Sequence, residues 1–262
     1  MVTADTLEAR LADLGQSLNL TSHTFATVAY GGAKFPLRAF AWGENAQPAV
    51  YVLAGVHGDE PGGIEAALRL LESLADGGAA PLTRHRLLVL PCLNPSGLAD
   101  RTRANRVGQD INRQFHADRT QETAAVRGFL TPEDCVLLVD LHCDHQAQGY
   151  YLFELREEAA PPLGEAILGS LTALGVPLET APFFAGCTGS RGLLAPTAAD
   201  LDVFQKRARG QSLVEWGRRN GIPRTYALEA PARGGGEAGA VMHLSALFAL
   251  FSALEGLPST AE

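Results

Sequence analysis

The sequence predicts a single-domain α/β fold in which helices cover both faces of a mixed, mostly parallel, twisted sheet. Apolar runs of strand length, such as AVYVLAGV, are continuous rather than alternating, as is typical of strands covered on both faces. Helical patterns follow these runs in turn, which indicates an α/β order. With 262 residues, of which 46% are hydrophobic and 19% charged, the chain is long enough for one large domain over residues 1–262.

The first elements are a helix and a hairpin. Leucines recur at helical spacing within residues 1–20, which predicts an amphipathic helix lying on the domain. These leucines are Leu7, Leu11, Leu14 and Leu18. Two strands are predicted on either side of Gly31-Gly32, because a glycine pair suits the positive backbone angles of a tight hairpin. AVYVLAGV follows as a buried strand, and Pro61 then marks the start of a helix.

The alternation of buried strands and helices continues to the end of the chain. The further strands are HRLLVLPCLNP, DCVLLVDLH and RTYALEAP. The further helices are APPLGEAILGSLTALGVP, DVFQKRARGQSLVEWGRRNGIP and AGAVMHLSALFALFSALEGL. The second of these helices is predicted to run unbroken until Gly221 and Pro223 stop it. Residues 94–117 and 181–200 read as long loops, which in compact domains are often functional.

Charge and terminal pattern exclude several classes of protein. The 21 basic and 29 acidic side chains give a net charge of −8, which disfavours nucleic acid and anionic membranes as partners. The first residues lack the basic start and apolar stretch of a signal peptide. No apolar run reaches the length of about 18 residues that a membrane span requires. We therefore expect a cytoplasmic protein; its oligomeric state cannot be read from the sequence.

The glycine-rich turn GVHGDEPGG follows the first buried strand and could hold a phosphate or a metal. A phosphate-binding loop needs a lysine and a hydroxyl residue after its glycines, whereas Asp59 and Glu60 occupy this turn. A metal fits better, because His57 and Glu60 can turn an imidazole and a carboxylate toward one point and zinc accepts that pair.

A third ligand is needed, since an H-x-x-E pair alone also occurs by chance. His142 ends another predicted strand and would lie on the same edge of the sheet. Two histidines and one glutamate leave a fourth position open to water, which is typical of catalytic zinc sites. The alternative is a histidine that bonds a backbone carbonyl.

The stretch NPSGLADRTRANRVGQDINRQF concentrates arginines in one loop of an acidic chain. They are Arg101, Arg103, Arg106 and Arg113. Guanidinium groups bind carboxylates through paired hydrogen bonds, so the loop could hold an anionic group of a substrate. A solvated basic loop is the alternative, but the position directly after a sheet strand favours binding.

In this order, HGDE, RTRANRVGQDINRQF, DLH and LEAP resemble the motifs of the zinc carboxypeptidase family typified by pancreatic carboxypeptidase A. The succinylglutamate desuccinylase and aspartoacylase group shares these motifs. The resemblance implies a zinc carboxypeptidase-like fold and one Zn²⁺ per chain. The zinc ligands that it implies are His57, Glu60 and His142.

The resemblance also implies roles for residues around the zinc. Asp110 matches the aspartate that orients the first histidine, and Arg103 matches the arginine that polarises the scissile carbonyl. Asn112 and Arg113 match the pair that holds the substrate carboxylate. Glu229, in LEAP, matches the general base.

We expect a zinc metallocarboxypeptidase-like hydrolase that removes the C-terminal residue of a small peptide. An N-acylamino acid deacylase is the alternative, and a non-catalytic zinc- and carboxylate-binding protein is the second. Deacylases of this group carry a further β-rich domain after the catalytic glutamate, whereas a helical pattern fills the residues after Glu229, which favours the peptidase. HCDHQAQGYY departs from the peptidase pattern and leaves Tyr150, Tyr151 and Tyr226 as candidates for an assisting tyrosine.

Overall fold

The computed structural model describes residues 2–117, 119–233 and 235–258. Its strands are β1 Thr21–Tyr30, β2 Ala33–Trp42, β3 Ala49–Ala54, β4 Arg86–Leu90, β5 Cys135–Asp144, β6 Tyr151–Arg156, β7 Phe183–Phe184, β8 Cys187–Thr188, β9 Leu193–Leu194 and β10 Arg224–Pro231. Its helices are α1 Ala4–Leu14, α2 Pro61–Ala75, α3 Pro95–Asp100, α4 Gln121–Phe129, α5 Gly164–Ala173, α6 Ala198–Arg207, α7 Leu213–Arg219 and α8 Gly235–Glu255.

Eight strands form one mixed sheet in the order β1-β2-β4-β3-β5-β10-β6-β9. The central strands β4, β3, β5 and β10 are parallel, and the hairpin β1-β2 and strand β6 join them in antiparallel pairs. The predicted α/β fold with a mixed, mostly parallel sheet is therefore confirmed. The hairpin turns at Gly31 and Gly32, which both have positive φ as predicted.

Each face of the sheet packs against helices, and β3 illustrates why its sequence is continuously apolar. Val50 and Val52 belong to a core formed with α1, α2, α5 and α8. Tyr51 and Leu53 belong to a second core on the other face, formed with α4, α6 and α7. Alternate side chains of a strand point to opposite faces, so a strand covered on both faces has no polar positions.

The helix predicted before Gly221 is in fact two helices, α6 and α7. The chain turns between them at Arg209, which has a φ of 54°. Gly210 then passes so close to Arg113 that an added Cβ would lie 2.1 Å from its carbonyl oxygen. A capping box between Ser212 and Glu215 starts α7. The prediction was wrong because this S-x-x-E helix start was not recognised.

Other differences lie at element ends and in the loops. Helix α1 ends at Leu14, so Leu18 is outside it and fully exposed, while the other three leucines are buried as predicted. Strand β6 and helix α4 were not predicted. The loop 94–117 contains the short helix α3 and a 3₁₀ turn at Ile111–Arg113.

Helix α8 corrects the expectation about apolar length. From Gly236 to Glu255 it is long and apolar enough to cross a membrane by length and composition alone, with a mean hydropathy of 1.5. A helix that packs in a protein core passes the same test. Helix α8 packs on α2 and α5. Six of its described residues are fully buried: Ala240, His243, Ala246, Leu247, Leu250 and Phe251.

Glu255 fastens the end of α8 to the segment before β4. Its carboxylate accepts hydrogen bonds from the Thr83 hydroxyl at 2.7 Å and the Arg84 backbone N–H at 3.1 Å, and Nδ1 of His85 lies 2.6 Å away. Burial raises the pKa of Glu255, but the contacts with His85, Thr83 and Arg84 outweigh it and lower the pKa to about 2.

A Glu255→Gln variant is expected to lose about 1–2 kcal/mol of stability at pH 7. A depressed carboxyl pKa stabilises the fold above the unfolded pKa of about 4.3, and this contribution is lost as pH falls toward 2. Denaturant unfolding at pH 7 and pH 3.5 should therefore show a difference between variant and wild type that shrinks at the lower pH. Glu237→Gln, in the exposed first turn of the same helix, is the control. Equal stability of Glu255→Gln and wild type at pH 7 would contradict the conclusion that the Glu255 carboxylate stabilises the fold.

Candidate active site

The ends of three strands bring the candidate site residues together at one edge of the sheet. The turn after β3 carries His57 and Glu60, while His142 lies near the end of β5 and Glu229 near the end of β10. Glu229 is paired with His142 in the parallel register of β10 and β5, so the two side chains are neighbours. The turn after β3 can lie against α3 because Gly58 lacks a side chain; an added Cβ would come within 2.0 Å of the Gly97 backbone.

His57, Glu60 and His142 form a buried cluster whose potential ligand atoms lie within 4.8 Å of one another. Nδ1 of His57 lies 2.7 Å from one carboxylate oxygen of Glu60, and Nδ1 of His142 lies 2.9 Å from the other. The backbone N–H of Cys143 donates to Glu60 at 2.9 Å. The two imidazoles and the carboxylate therefore converge on a common point.

Each imidazole has an aspartate on its far side. Nε2 of His57 lies 3.2 Å from Asp110, and Nε2 of His142 lies 2.9 Å from Asp140. Carboxylates in this position fix the tautomer and ring orientation of metal-binding histidines. Asp110 was predicted, and Asp140 was missed. The signal for Asp140 was present in VDLH, because residues two apart in a strand point to the same face.

The charges of the cluster suit a cation. Burial lowers the pKa of His57, but the carboxylates of Glu60 and Asp110 outweigh it and raise the pKa overall. Burial is likewise outweighed at His142, where Asp140, Glu229 and Glu60 raise the pKa well above its ordinary value. Burial raises the pKa of Glu60, but His57 and His142 lower it overall. The carboxylates thus favour positive charge at this point. A divalent metal ion would supply that charge, and zinc accepts imidazole and carboxylate ligands.

Arg103 lies beside this cluster at the surface. Its Nη1 donates to Glu60 at 3.3 Å and its Nε donates to Asp110 at 3.1 Å, while its side chain remains 45% exposed. The guanidinium group is therefore close to the ligand atoms and within reach of solvent.

Asn112 and Arg113 occupy the 3₁₀ turn on the other side of the cluster. Nδ2 of Asn112 lies 3.3 Å from Nε2 of His142, and its Oδ1 accepts from the Leu213 backbone N–H at 2.9 Å. Asn112 is thus already engaged in joining His142 to the start of α7. Arg113 donates to the Asn112 carbonyl and lies over the Phe184 ring at 5.9 Å.

The side chain of Glu229 has no hydrogen bond to any residue that the structure describes. Burial raises its pKa, the positive charge of His142 opposes this, and the carboxylates of Glu60 and Asp144 add to it, which gives a pKa of about 8. The Glu229 side chain is half-buried, and a carboxylate whose pKa lies near neutrality can accept a proton and give it back. Perturbed groups of this kind cluster at functional sites.

A cavity of about 210 Å³ connects these residues. His57, Glu60, Arg103, Asn112, Arg113, His142 and Glu229 all line it. The predicted site residues are therefore brought together, with Asp110 behind His57, while their roles stay predictions. Of the three tyrosines considered, Tyr151 lines the cavity, whereas Tyr150 bonds His243 and Tyr226 bonds Glu154.

Comparison with known proteins shows which family the chain belongs to. Residues 46–182, more than half of the chain, match the model of the succinylglutamate desuccinylase/aspartoacylase catalytic domain. The chain belongs to this family. Carboxypeptidase SOL1 of Arabidopsis thaliana is 31% identical over 125 residues, which are 44% of this chain and 25% of that protein. The chain therefore spans only about a quarter of the length of carboxypeptidase SOL1.

Solved structures share the fold. A candidate metallopeptidase from Shewanella denitrificans superposes with a TM-score of 0.76 at 21% identity, covering 95% of this chain and 89% of that one. A metallo-carboxypeptidase from Burkholderia cenocepacia gives a TM-score of 0.68 at 19% identity, covering 96% and 69%. The resemblance to the zinc carboxypeptidase superfamily and its fold is confirmed. The single-domain organisation and the cytoplasmic location stay predictions.

Proposed function

We propose that the protein is a zinc-dependent hydrolase that cleaves an amide bond next to a free carboxylate, releasing the C-terminal residue of a small peptide. The observation that carries this proposal is the pairing of Glu229 with His142. A half-buried carboxylate without a hydrogen-bond partner among the described residues lies beside a cluster of two histidines and a glutamate. A structural metal site would not need such a group.

His57, Glu60 and His142 would hold the zinc, which supplies an acidified water and polarises the substrate carbonyl when bound. Glu229 takes one proton from the attacking water as the water oxygen bonds to the carbonyl carbon. It gives that proton to the nitrogen as the C–N bond breaks, so that the products are a carboxylic acid and an amine.

Arg103 and Arg113 supply positive charge on two sides of the scissile amide bond. Arg103 is close enough to Glu60 to stabilise negative charge that develops on the carbonyl oxygen only during the reaction. Arg113 can bind the free carboxylate of the substrate through paired hydrogen bonds. Asn112 supports this binding by fixing the turn that carries Arg113.

A second candidate is hydrolysis of an N-acylamino acid. The family match over residues 46–182 favours it, since succinylglutamate desuccinylase and aspartoacylase give the family its name. Both reactions break an amide bond whose nitrogen belongs to an amino acid with a free carboxylate. They differ in the acyl side, which is a peptide in one and a small acid in the other.

The test is metal analysis combined with a substrate panel of dipeptides, murein-type peptides and N-acylamino acids. We expect one zinc per chain and hydrolysis of at least one carboxylate-bearing amide, and the class cleaved would choose between the two candidates. Zinc binding without hydrolysis of any member would indicate a non-catalytic zinc- and carboxylate-binding protein. Absence of zinc after metal loading would show that the three ligands are wrongly assigned.

A further inference from the structure

His243 is a fully buried histidine of α8 that the proposed mechanism does not use. Its Nε2 lies 2.9 Å from the backbone carbonyl oxygen of His142, and its Nδ1 lies 3.0 Å from the hydroxyl oxygen of Tyr150. Tyr150 is also fully buried, and its ring meets the imidazole edge-on with 5.6 Å between the centroids. This chain of hydrogen bonds therefore ends on the backbone of one member of the metal cluster, which consists of His57, Glu60 and His142.

The direction of each hydrogen bond follows from the chemistry of the groups. A carbonyl oxygen only accepts, so Nε2 of His243 carries the hydrogen and donates to His142. Burial lowers the pKa of His243 to about 4, so the imidazole is neutral at pH 7 and its Nδ1 is an acceptor. The Tyr150 hydroxyl therefore donates to Nδ1, and this bond fixes the tautomer of His243 that donates to His142.

The end of β5 has fewer backbone partners than the rest of the strand. The pairing of β3 with β5 ends at Leu141, and from His142 onward β5 pairs only with β10. Backbone hydrogen bonds fix the orientation of peptide groups in a sheet, and fewer of them are available where a strand is paired on one side. His243 supplies one such bond from α8, at the residue whose side chain belongs to the metal cluster.

The same chain of hydrogen bonds connects the two strands that flank β10. His142 of β5, Glu229 of β10 and Tyr151 of β6 pair in one row across the sheet. Tyr150 directly precedes Tyr151, and it bonds His243 in the core beside α8, whereas Tyr151 lines the cavity. These contacts therefore link β6 to β5 on the face opposite the cavity, across the strand that carries Glu229.

We propose that His243 and Tyr150 are positioning residues for the metal cluster. By holding the backbone of His142, they fix the direction of its imidazole, whose Nδ1 lies 2.9 Å from Glu60. This role rests on the proposed function, since it requires the metal cluster to bind zinc. It differs from the role of Asp140, which bonds the imidazole itself rather than the backbone.

The test measures zinc affinity by competition with a chelator of known affinity. His243→Leu removes the donor to the His142 carbonyl and should weaken zinc binding by about 10- to 100-fold, the range typical of residues that orient a ligand. His243→Gln should stay within about threefold of wild type, because the glutamine amide places an N–H donor near the position of Nε2. Wild-type affinity in His243→Leu, or an equal loss in both variants, would overturn the proposal.

Tyr150→Phe tests whether the tyrosine acts through His243. Without the hydroxyl group, the hydrogen of the imidazole can move to Nδ1, and the donor toward His142 is no longer fixed. We expect Tyr150→Phe alone to weaken zinc binding about 3- to 10-fold. Added to His243→Leu, it should cause no further loss. Additive losses would overturn the role of Tyr150.

Leu250→Ala is the control for loss of stability. Leu250 lies about two turns further along α8, and it is fully buried in the apolar core. Its replacement should lower the denaturant midpoint of the metal-free protein at least as much as His243→Leu does, but it should leave zinc affinity as in wild type. If Leu250→Ala weakened zinc binding as much as His243→Leu, the role of His243 would be one of stability alone, and the proposal would fail.

Failure of this inference can be distinguished from failure of the proposed function. The affinity test requires zinc binding but no hydrolysis, so it holds even if no amide is cleaved. If wild type takes up no zinc, the metal ligands are wrongly assigned, and NMR of the ring nitrogens of His142 in the metal-free protein then decides the role of His243. A change of these signals in His243→Leu that His243→Gln restores supports the inference. Unchanged signals in His243→Leu overturn it.

Discussion

Glu229→Gln is expected to lower kcat by about 100- to 10,000-fold, the range that a positioned general base contributes. Glutamine preserves the size of the side chain but cannot take a proton from water. Because the three ligand residues are untouched, zinc content should remain that of wild type. Steady-state kinetics on a substrate identified by the panel, together with metal analysis of the same preparations, provide the measurement.

The pH dependence of the wild type provides an independent check. A base must be deprotonated to act, so kcat/KM should fall as pH drops through the pKa of Glu229. Burial places that pKa at about 8 in the metal-free protein, and a bound cation lowers it because it favours the carboxylate. Glu122→Gln is the control, because it removes a fully buried carboxylate that accepts from the Tyr30 hydroxyl and does not line the cavity. Unchanged kcat in Glu229→Gln would contradict its assignment as the base.

His142→Ala is expected to weaken zinc binding by more than about 100-fold, which exceeds the 10- to 100-fold loss typical of residues that only orient a ligand. The imidazole that faces Glu60 is removed, so only two of the three ligands remain. Asp140→Asn is the matched comparison, because it keeps all three ligands and changes only the partner of His142. Competition with a chelator of known affinity measures both variants.

The losses of zinc affinity in His142→Ala and Asp140→Asn, when compared, distinguish a metal ligand from a residue that only orients a ligand. A larger loss in Asp140→Asn than in His142→Ala would contradict the assignment of His142. In wild type, zinc affinity should rise with pH, because the raised pKa values of His57 and His142 mean that protons compete with the metal.

The sequence predicted what depends on local pattern. β10 was predicted with the same bounds that it has in the structure, and His57, Glu60 and His142 were placed at one edge because each follows a recognisable buried strand. A strand covered on both faces has a composition that no loop shares, so its end can be located from the chain alone.

What the sequence left out depends on contacts between distant segments. The break before α7 depends on the approach of Gly210 to Arg113, almost a hundred residues away. The engagement of Asn112 with His142 and Leu213 likewise requires three separate segments to meet. Asp140 had a local signal, the strand alternation, but its role appears only when the metal cluster is seen beside it.

The register of β10 has a consequence for insertions and deletions. Ala227 and Glu229 face the cavity, whereas Tyr226 and Leu228 belong to the core on the opposite face. Because alternate residues of a strand face opposite ways, removing one residue between Ile222 and Glu229 would turn the carboxylate into the apolar core and present Ala230 to the ligand histidines. Length changes in this segment can therefore persist only in pairs of residues, whereas the distant end of α8 has no such parity requirement.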